Sequence, residues 1–378
     1  MRTKRKVLLG GLFCLLLGAG LFGFIQITRA DPGSAAEAGI IKPSQAPAAS
    51  PVPVLAYYYI WYDSNSWDRA KIDYPLAGRY TSDDRAVMRQ HILWAKAAGI
   101  DGFIVSWKSS DVLNRRLTQL ADLAEEENFK LVVIYQGLDF NRDPLPVDRV
   151  ASDLDYFIQH FASRPAFQLF AKPLVIWSGT WQFSTQDIGQ VTQSRRSKLL
   201  LLASERTADD YKRLADLVDG DAYYWSSVNP ETFPGYQDKL VAMGKIVHQN
   251  GGLWIAPAAP GFNARLVGGT TTVERKNGQT LRDEVNAAQA SSPDALGIIS
   301  WNEFSENSQV EPSQTYGTQY LKILSEINHL PVPTFAEFDS SEPTGTFPEV
   351  MPGSRVMALG GLVFTILIGA FVIARRQF

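Results

Sequence analysis

Eight short apolar runs recur between residues 54 and 301, and the stretches between them carry helix signals. This alternation constrains the chain more than any other feature. The runs are VLAYYYI (54–60), IDGFIVSW (100–107), KLVVIYQ (130–136), PLVIWS (173–178), KLLLLAS (198–204), DAYYW (221–225), GLWIAP (252–257) and ALGIISW (295–301). Runs of this length, apolar on both faces, suit strands buried in a parallel sheet with helical crossovers. Thr81, Ser82, Asp83 and Asp84 can cap a helix whose Val87, His91, Trp94 and Ala98 share one face, and Gly99 ends it. Leu113, Leu117, Leu120 and Ala124 mark the next helix in the same way. Only residues 179–197 are poorly patterned. A doubly wound sheet would show a glycine-rich turn after its first strand, and none is present. Eight βα units therefore predict a single (β/α)8 TIM barrel over 54–330.

The flanks differ in kind. Residues 1–30 hold Arg2, Lys4, Arg5 and Lys6, an apolar stretch from Val7 to Ile27, then Thr28, Arg29 and Ala30, which reads as a signal peptide or an N-terminal anchor. Residues 31–53, rich in Ala, Pro and Ser, and 331–354, rich in Pro, Ser, Glu and Gly, read as linkers. In 355–378 the uncharged span Val356–Ala374 precedes Arg375 and Arg376, the pattern of a C-terminal transmembrane anchor with a cytoplasmic basic end. The expected location is the cell membrane, with the barrel extracytoplasmic. The single cysteine, Cys14, lies in the first apolar segment, so no disulfide can form within the chain. A net charge of -3, with no basic stripe outside the termini, leaves no footprint for nucleic acid and points to weakly charged polymers as partners.

In a barrel of this kind chemistry gathers at the carboxyl ends of the strands, where the βα loops share one mouth. The residues there include Tyr57, Tyr59, Trp61, Trp107, Tyr135, Gln136, Trp177, Tyr224, Trp225, Trp301 and Asn302. Aromatic faces pack on the C–H faces of sugar rings, and amides and carboxylates bond hydroxyls, so the mixture suits a carbohydrate cleft. Any single ring could instead fill the core. Just past the last run, Glu303 and Glu306 stand three apart. Glycosidic cleavage commonly needs two carboxyl groups with pKa values held apart, and this pair supplies the candidates. His91, His160, His248 and His329 are scattered singly, no G-x-S-x-G elbow occurs, and VGGTTT (267–272) reads as a loop. No metal or other cofactor is expected.

The run N-E-F-S-E-N-S-Q-V-E-P at 302–312 resembles the signature of the glycoside hydrolase family 99 endo-α-mannosidases. Y-Y-I-W-Y (58–62), G-I-D-G-F-I-V-S-W (99–107), P-G-F-N (260–263) and R-K-N-G-Q (275–279) follow the family's order; family 71 is more distantly similar. The resemblance implies a metal-free barrel cleaving internal α-glycosidic bonds, of an α-mannan or α-glucan, with retention through a 1,2-anhydro sugar. It implies Glu303 as the base on the sugar 2-hydroxyl, Glu306 as acid and then base, and Asn302, Gln309 and Glu311 as loop supports or sugar contacts. Gln136, Asn263 and Lys108 stand where the family's pattern has a glutamate, an aspartate and an aromatic, so sugar contacts at those positions differ.

Two other readings belong to different classes. A surface carbohydrate-binding protein on a catalytically lapsed barrel would keep the rings and lose the acid. A scaffold in polysaccharide assembly would need a partner surface, and no coiled coil or basic tail suggests one.

Overall fold

The structure, a computed structural model, describes residues 52–332. The expected signal or anchor, the expected transmembrane segment and nearly all of both linkers lie outside the described residues. Among the described residues no helix is long and apolar enough to cross a membrane.

Ten strands and eight helices follow in chain order: β1 (Val54–Tyr59), α1 (Arg85–Ala97), β2 (Gly102–Trp107), α2 (Asp111–Glu126), β3 (Lys130–Gln136), α3 (Val147–His160), β4 (Leu174–Ser178), α4 (Thr185–Thr192), β5 (Leu200–Leu202), α5 (Ala208–Lys212), β6 (Gly220–Ala222), α6 (Tyr236–Gln249), β7 (Leu253–Ala258), β8 (Phe262–Asn263), β9 (Thr272–Val273), α7 (Gln279–Ala290), β10 (Ala295–Ile298) and α8 (Gln319–Ile327). Eight strands form one sheet in the order β5-β4-β3-β2-β1-β10-β7-β6, every pairing parallel. A parallel bridge between Ala203 and Asp221 joins the two ends. The result is the expected (β/α)8 barrel, with one addition. Strands β8 and β9 form a small antiparallel hairpin between β7 and α7.

Alternation along each strand sorts the side chains into two layers. Leu55, Tyr57, Ile104, Val132, Ile134, Ile176, Leu202, Ala222 and Ile255 pack inside the barrel. Their neighbours Ala56, Tyr58, Phe103, Val105, Val133 and Val175 point outward onto the helices. Full burial of such side chains contributes roughly 1.5–3 kcal/mol each. Gly297 is required by this packing, because a Cβ there would sit 2.9 Å from the Tyr57 ring.

The helices start and stop where local chemistry dictates. The Asp84 side chain accepts from the Ala86 and Val87 amides to open α1, and Gly99, at φ 80°, turns the chain out of it. In the poorly patterned stretch, Ser184 and Asp187 form a reciprocal capping box that starts α4. That S-x-x-D spacing was present in the sequence as a usable signal.

Candidate active site

Residues 299–312 leave β10 as a loop that returns on itself. The Ser300 amide donates to the Ser308 carbonyl (2.8 Å) and the Val310 amide to that of Ser300 (2.9 Å); the Ile299–Ser300 peptide is cis. Asn302 ties the loop to β1: its Oδ1 accepts from the Tyr59 amide (2.8 Å) and its Nδ2 donates to the Tyr59 carbonyl (3.0 Å). The Tyr62 hydroxyl donates to the Asn302 carbonyl. Further along, the Glu311 carboxylate accepts from the Tyr80 hydroxyl (2.9 Å) and meets His91 Nε2 (3.1 Å), whose Nδ1 meets the Tyr58 hydroxyl. Gln309 Nε2 donates to Asp73, and Arg275 Nη2 donates to the carbonyls of Asn307 and Gln309. A loop satisfied by this many buried partners holds a fixed shape.

That shape presents the two glutamates. Glu303 is buried, its Oε1 accepting from the Ser305 amide (2.9 Å) while its own amide donates to Ser300 Oγ (2.8 Å). Glu306 keeps a partly exposed edge, and its carbonyl accepts from the Asn263 amide (2.7 Å). Tyr59 and Tyr224, joined hydroxyl to hydroxyl, lie within the field of both carboxyls. The Trp61 ring stacks on Tyr59 at 4.3 Å. Lys71 acts on Glu303, and Arg142 on Glu306 and Tyr224.

Burial raises both carboxyls, and their surroundings then separate them. Desolvation carries Glu303 up to about 7, with the Ser305 amide and Lys71 opposing it. Desolvation and the adjoining Glu303 charge carry Glu306 to about 8, against Arg142. Two neighbouring carboxyls cannot both ionise cheaply. The two therefore titrate as a pair, and its singly protonated form sets a carboxylate base beside a carboxylic acid.

The structure sorts the other expected site residues by strand parity. Tyr59 and Gln136 end their strands on the inward face, and Tyr224 also turns inward; Gln136 Nε2 donates to Ser106 Oγ (3.0 Å). Asn263 sits beside Glu306 on β8. Trp61 and Trp225 are partly buried near the mouth. The remaining assignments are corrected. Trp107, Tyr135 and Trp177 point outward from β2, β3 and β4 into the layer under the helices, where they are 0–1% exposed and leave no face for a sugar. Trp107 Nε1 bonds Asn114, Tyr135 bonds Asp153, and Trp177 packs on Phe183. Trp301 is likewise buried, against Phe103 and His91. Tyr57 lies inside the barrel beneath Tyr224, with ring centroids 4.6 Å apart. Asn302, Gln309 and Glu311 take the first of the two roles expected of them, as buried struts of the loop.

Lys71, Arg142, Trp181 and Arg206 are functional candidates that sequence reasoning passed over. Arg142 is placed by a built turn: Asp139 Oδ1 accepts from the amides of Asn141 and Asp143, and Arg142 itself adopts φ 69°, a conformation few residues other than glycine take. The D-F-N-R-D run was the available signal for that turn. Among the described residues no group of three or more His, Cys, Asp or Glu side chains is gathered to hold a metal.

Comparison with known proteins is consistent with this geometry. Residues 60–331 match Glycosyl hydrolase family 99. The chain is 24% identical over 284 residues to a glycoprotein endo-alpha-1,2-mannosidase-like protein of Danio rerio, covering 67% of this chain and 63% of the relative. It is 23% identical to the glycoprotein endo-alpha-1,2-mannosidase of Rattus norvegicus, covering 66% of this chain and 59% of that one. The chain thus spans about three fifths of these relatives' length. The GH99 endo-alpha-mannosidase of Bacteroides thetaiotaomicron, solved with BIS-TRIS-propane, shares the fold with a TM-score of 0.65 at 20% identity, covering 73% of this chain and 96% of that one.

Proposed function

The chain belongs to glycosyl hydrolase family 99, and from that premise we propose that it is a retaining, endo-acting glycoside hydrolase that cuts internal α-mannosidic bonds of a glycan. One observation carries the reading: Glu303 and Glu306 stand close enough to feel each other's charge in a desolvated site beside Tyr59 and Tyr224, where burial raises both above the ordinary carboxylate range, the setting that acid–base cleavage needs. The α-mannoside specificity is drawn from the activity named for the relatives.

The chemistry runs in two inversions. Glu303, the more readily ionised group, takes the proton of the sugar 2-hydroxyl, and the freed oxygen attacks the anomeric carbon from the face opposite the leaving group. The glycosidic bond breaks as Glu306 gives its proton to the departing oxygen. A 1,2-anhydro sugar results, and neither glutamate is bonded to it. Glu306, now ionised, takes a proton from water, the water oxygen attacks the anomeric carbon, and the ring-opened 2-oxygen recovers its proton from Glu303. Two inversions restore the original configuration. The buried hydrogen bonds of residues 300–311 hold both carboxyls through each step. The reading also places the barrel outside the cytoplasm and tethered at the membrane, on the strength of the terminal sequence pattern alone.

The test is cleavage of a panel of α-mannans and α-glucans by the chain and by Glu306→Gln, with the anomer of the first product followed by NMR. The variant should lose about two to four orders of magnitude in kcat/KM. Equal turnover would remove Glu306 as the acid, a first-formed β-anomer would exclude the double-inversion route, and binding without cleavage by wild type would restore the lapsed-barrel reading.

A further inference from the structure

Three successive strands, β4, β5 and β6, send their following loops to one side of the mouth. The β4 loop carries Trp181, the β5 loop Arg206 and the β6 segment Trp225. Their side chains meet: the Arg206 guanidinium lies 4.4 Å from the centroid of the Trp181 ring and 5.4 Å from that of Trp225. Stacking of this kind orients the planar fork and leaves its edge N–H groups to other partners. No carboxylate takes them. Most arginines on the barrel's flank are paired, among them Arg85, Arg89, Arg115, Arg116, Arg164, Arg195, Arg196, Arg213 and Arg282, whereas Arg206 makes no ion pair or hydrogen bond among the described residues. The nearest acids are engaged elsewhere, Glu205 by Arg213 (2.9 Å) and Asp210 by the Thr207 hydroxyl (2.7 Å).

Two further cations lie within the field of Arg206, and one of them, Lys239, also donates to the Tyr223 hydroxyl (2.8 Å). Arg142, beside Glu306, lies within the repulsive field of Arg206. Lys239 sits over the Tyr223 ring at 4.3 Å, and that ring lies parallel to Trp225. Arg206 in turn repels Lys239. Arg206 thus stands between two other cations and against two partly buried indoles, with Glu205 and Asp210, both engaged elsewhere, only partly offsetting the positive charge. A neutral glycan would leave that repulsion standing, and an anion would relieve it.

Building on the proposed hydrolase reading, we propose that Arg206, oriented by Trp181 and Trp225, is a specificity-determining subsite for an anionic substituent, phosphoryl or carboxylate, on a sugar of the substrate chain. This revises the inference from net charge. An overall charge of -3 suggested weakly charged polymers, yet the charge that a ligand meets is local, and here it includes a guanidinium that no carboxylate pairs.

The test uses the full-length chain carrying Glu306→Gln, so that ligands bind without being cut. Its probes are three α-mannooligosaccharides of equal length: neutral, bearing one phosphomonoester, and bearing one terminal uronate. Calorimetry should show the phosphorylated or the uronate ligand, or both, binding about tenfold or more tightly than the neutral one, with the preference shrinking as salt rises. Whichever anion is preferred identifies the source of the charge. Adding Arg206→Gln should collapse the anionic-to-neutral affinity ratio by about tenfold. Arg282→Gln, which removes an equal charge from α7, where it is paired with Glu326, should leave the ratio as it was. Equal affinity for all three ligands, or a ratio that survives Arg206→Gln, overturns the subsite and leaves the hydrolase reading intact. Failure to bind any of the three overturns both.

Discussion

Replacing Glu303 by Gln should stabilise the protein, and by an amount that grows with pH. Burial lifts this carboxyl from its ordinary 4.5 to about 7, so between those values the folded chain keeps a proton that the unfolded chain has released. When the native state binds more protons, stability falls as pH rises, and it stops falling once the folded group has also ionised. The gap from 4.5 to about 7 corresponds to roughly 3 kcal/mol at 1.36 kcal/mol per pK unit. Glutamine is nearly isosteric with the protonated acid. Its amide oxygen can still accept from the Ser305 amide, so little else changes at this 6%-exposed position. Urea unfolding followed from about pH 4.5 to about pH 8.5 should show the two proteins equal at the acid end and the variant ahead by roughly 3 kcal/mol at the alkaline end. An advantage that does not vary with pH, or a loss that deepens above neutrality, would refute the premise that the pocket penalises the ionised form.

Activity should respond to the same pair. A plot of kcat/KM against pH should be bell-shaped, rising as Glu303 ionises near 7 and falling as Glu306 loses its proton near 8. Lys71→Met removes a cation that favours the Glu303 carboxylate and should move the rising limb to higher pH; an unmoved limb would separate Lys71 from the site. Trp107→Ala should cost roughly 3–5 kcal/mol of stability while leaving KM for the glycan unchanged, because the ring is fully buried under the helices. A raised KM at undiminished stability would return Trp107 to the cleft.

What could be read from the sequence followed from rules that act locally. The eight runs declared themselves because each strand is covered on both faces, and α1 declared itself through Asp84 and Gly99. The glutamate pair was legible because a loop after the last barrel strand has one place to go. The aromatic assignments failed where a strand end was treated as a site without asking which face its side chain takes. Counted by alternation from Leu55, Ile104, Val132 and Leu174, the inward residues at the strand tops are Tyr59, Ser106, Gln136 and Ser178, while Trp107, Tyr135 and Trp177 fall outward. Arg142 and Arg206 were beyond such counting. Their approach to the mouth depends on a turn at φ 69° in one case and on stacking between indoles from two other loops in the second.

The burial that raises the carboxyls is also the reason the loop around them is tied down at so many points. Placing two acids out of water near each other is unfavourable in either ionised form, and a slack loop would relieve the strain by letting one of them swing to solvent. Here that escape is closed at several points: Asn302 is clamped to the backbone of Tyr59, Glu311 is enclosed by Tyr80 and His91, and Arg275 grips the carbonyls of Asn307 and Gln309. None of these struts needs to touch a sugar to govern catalysis, because each removes a conformation in which Glu303 or Glu306 would regain an ordinary pKa. Loosening the Asn302 clamp should therefore weaken the acid–base split before it weakens the fold, since the barrel core of β1–β7 and β10 is packed independently of that side chain.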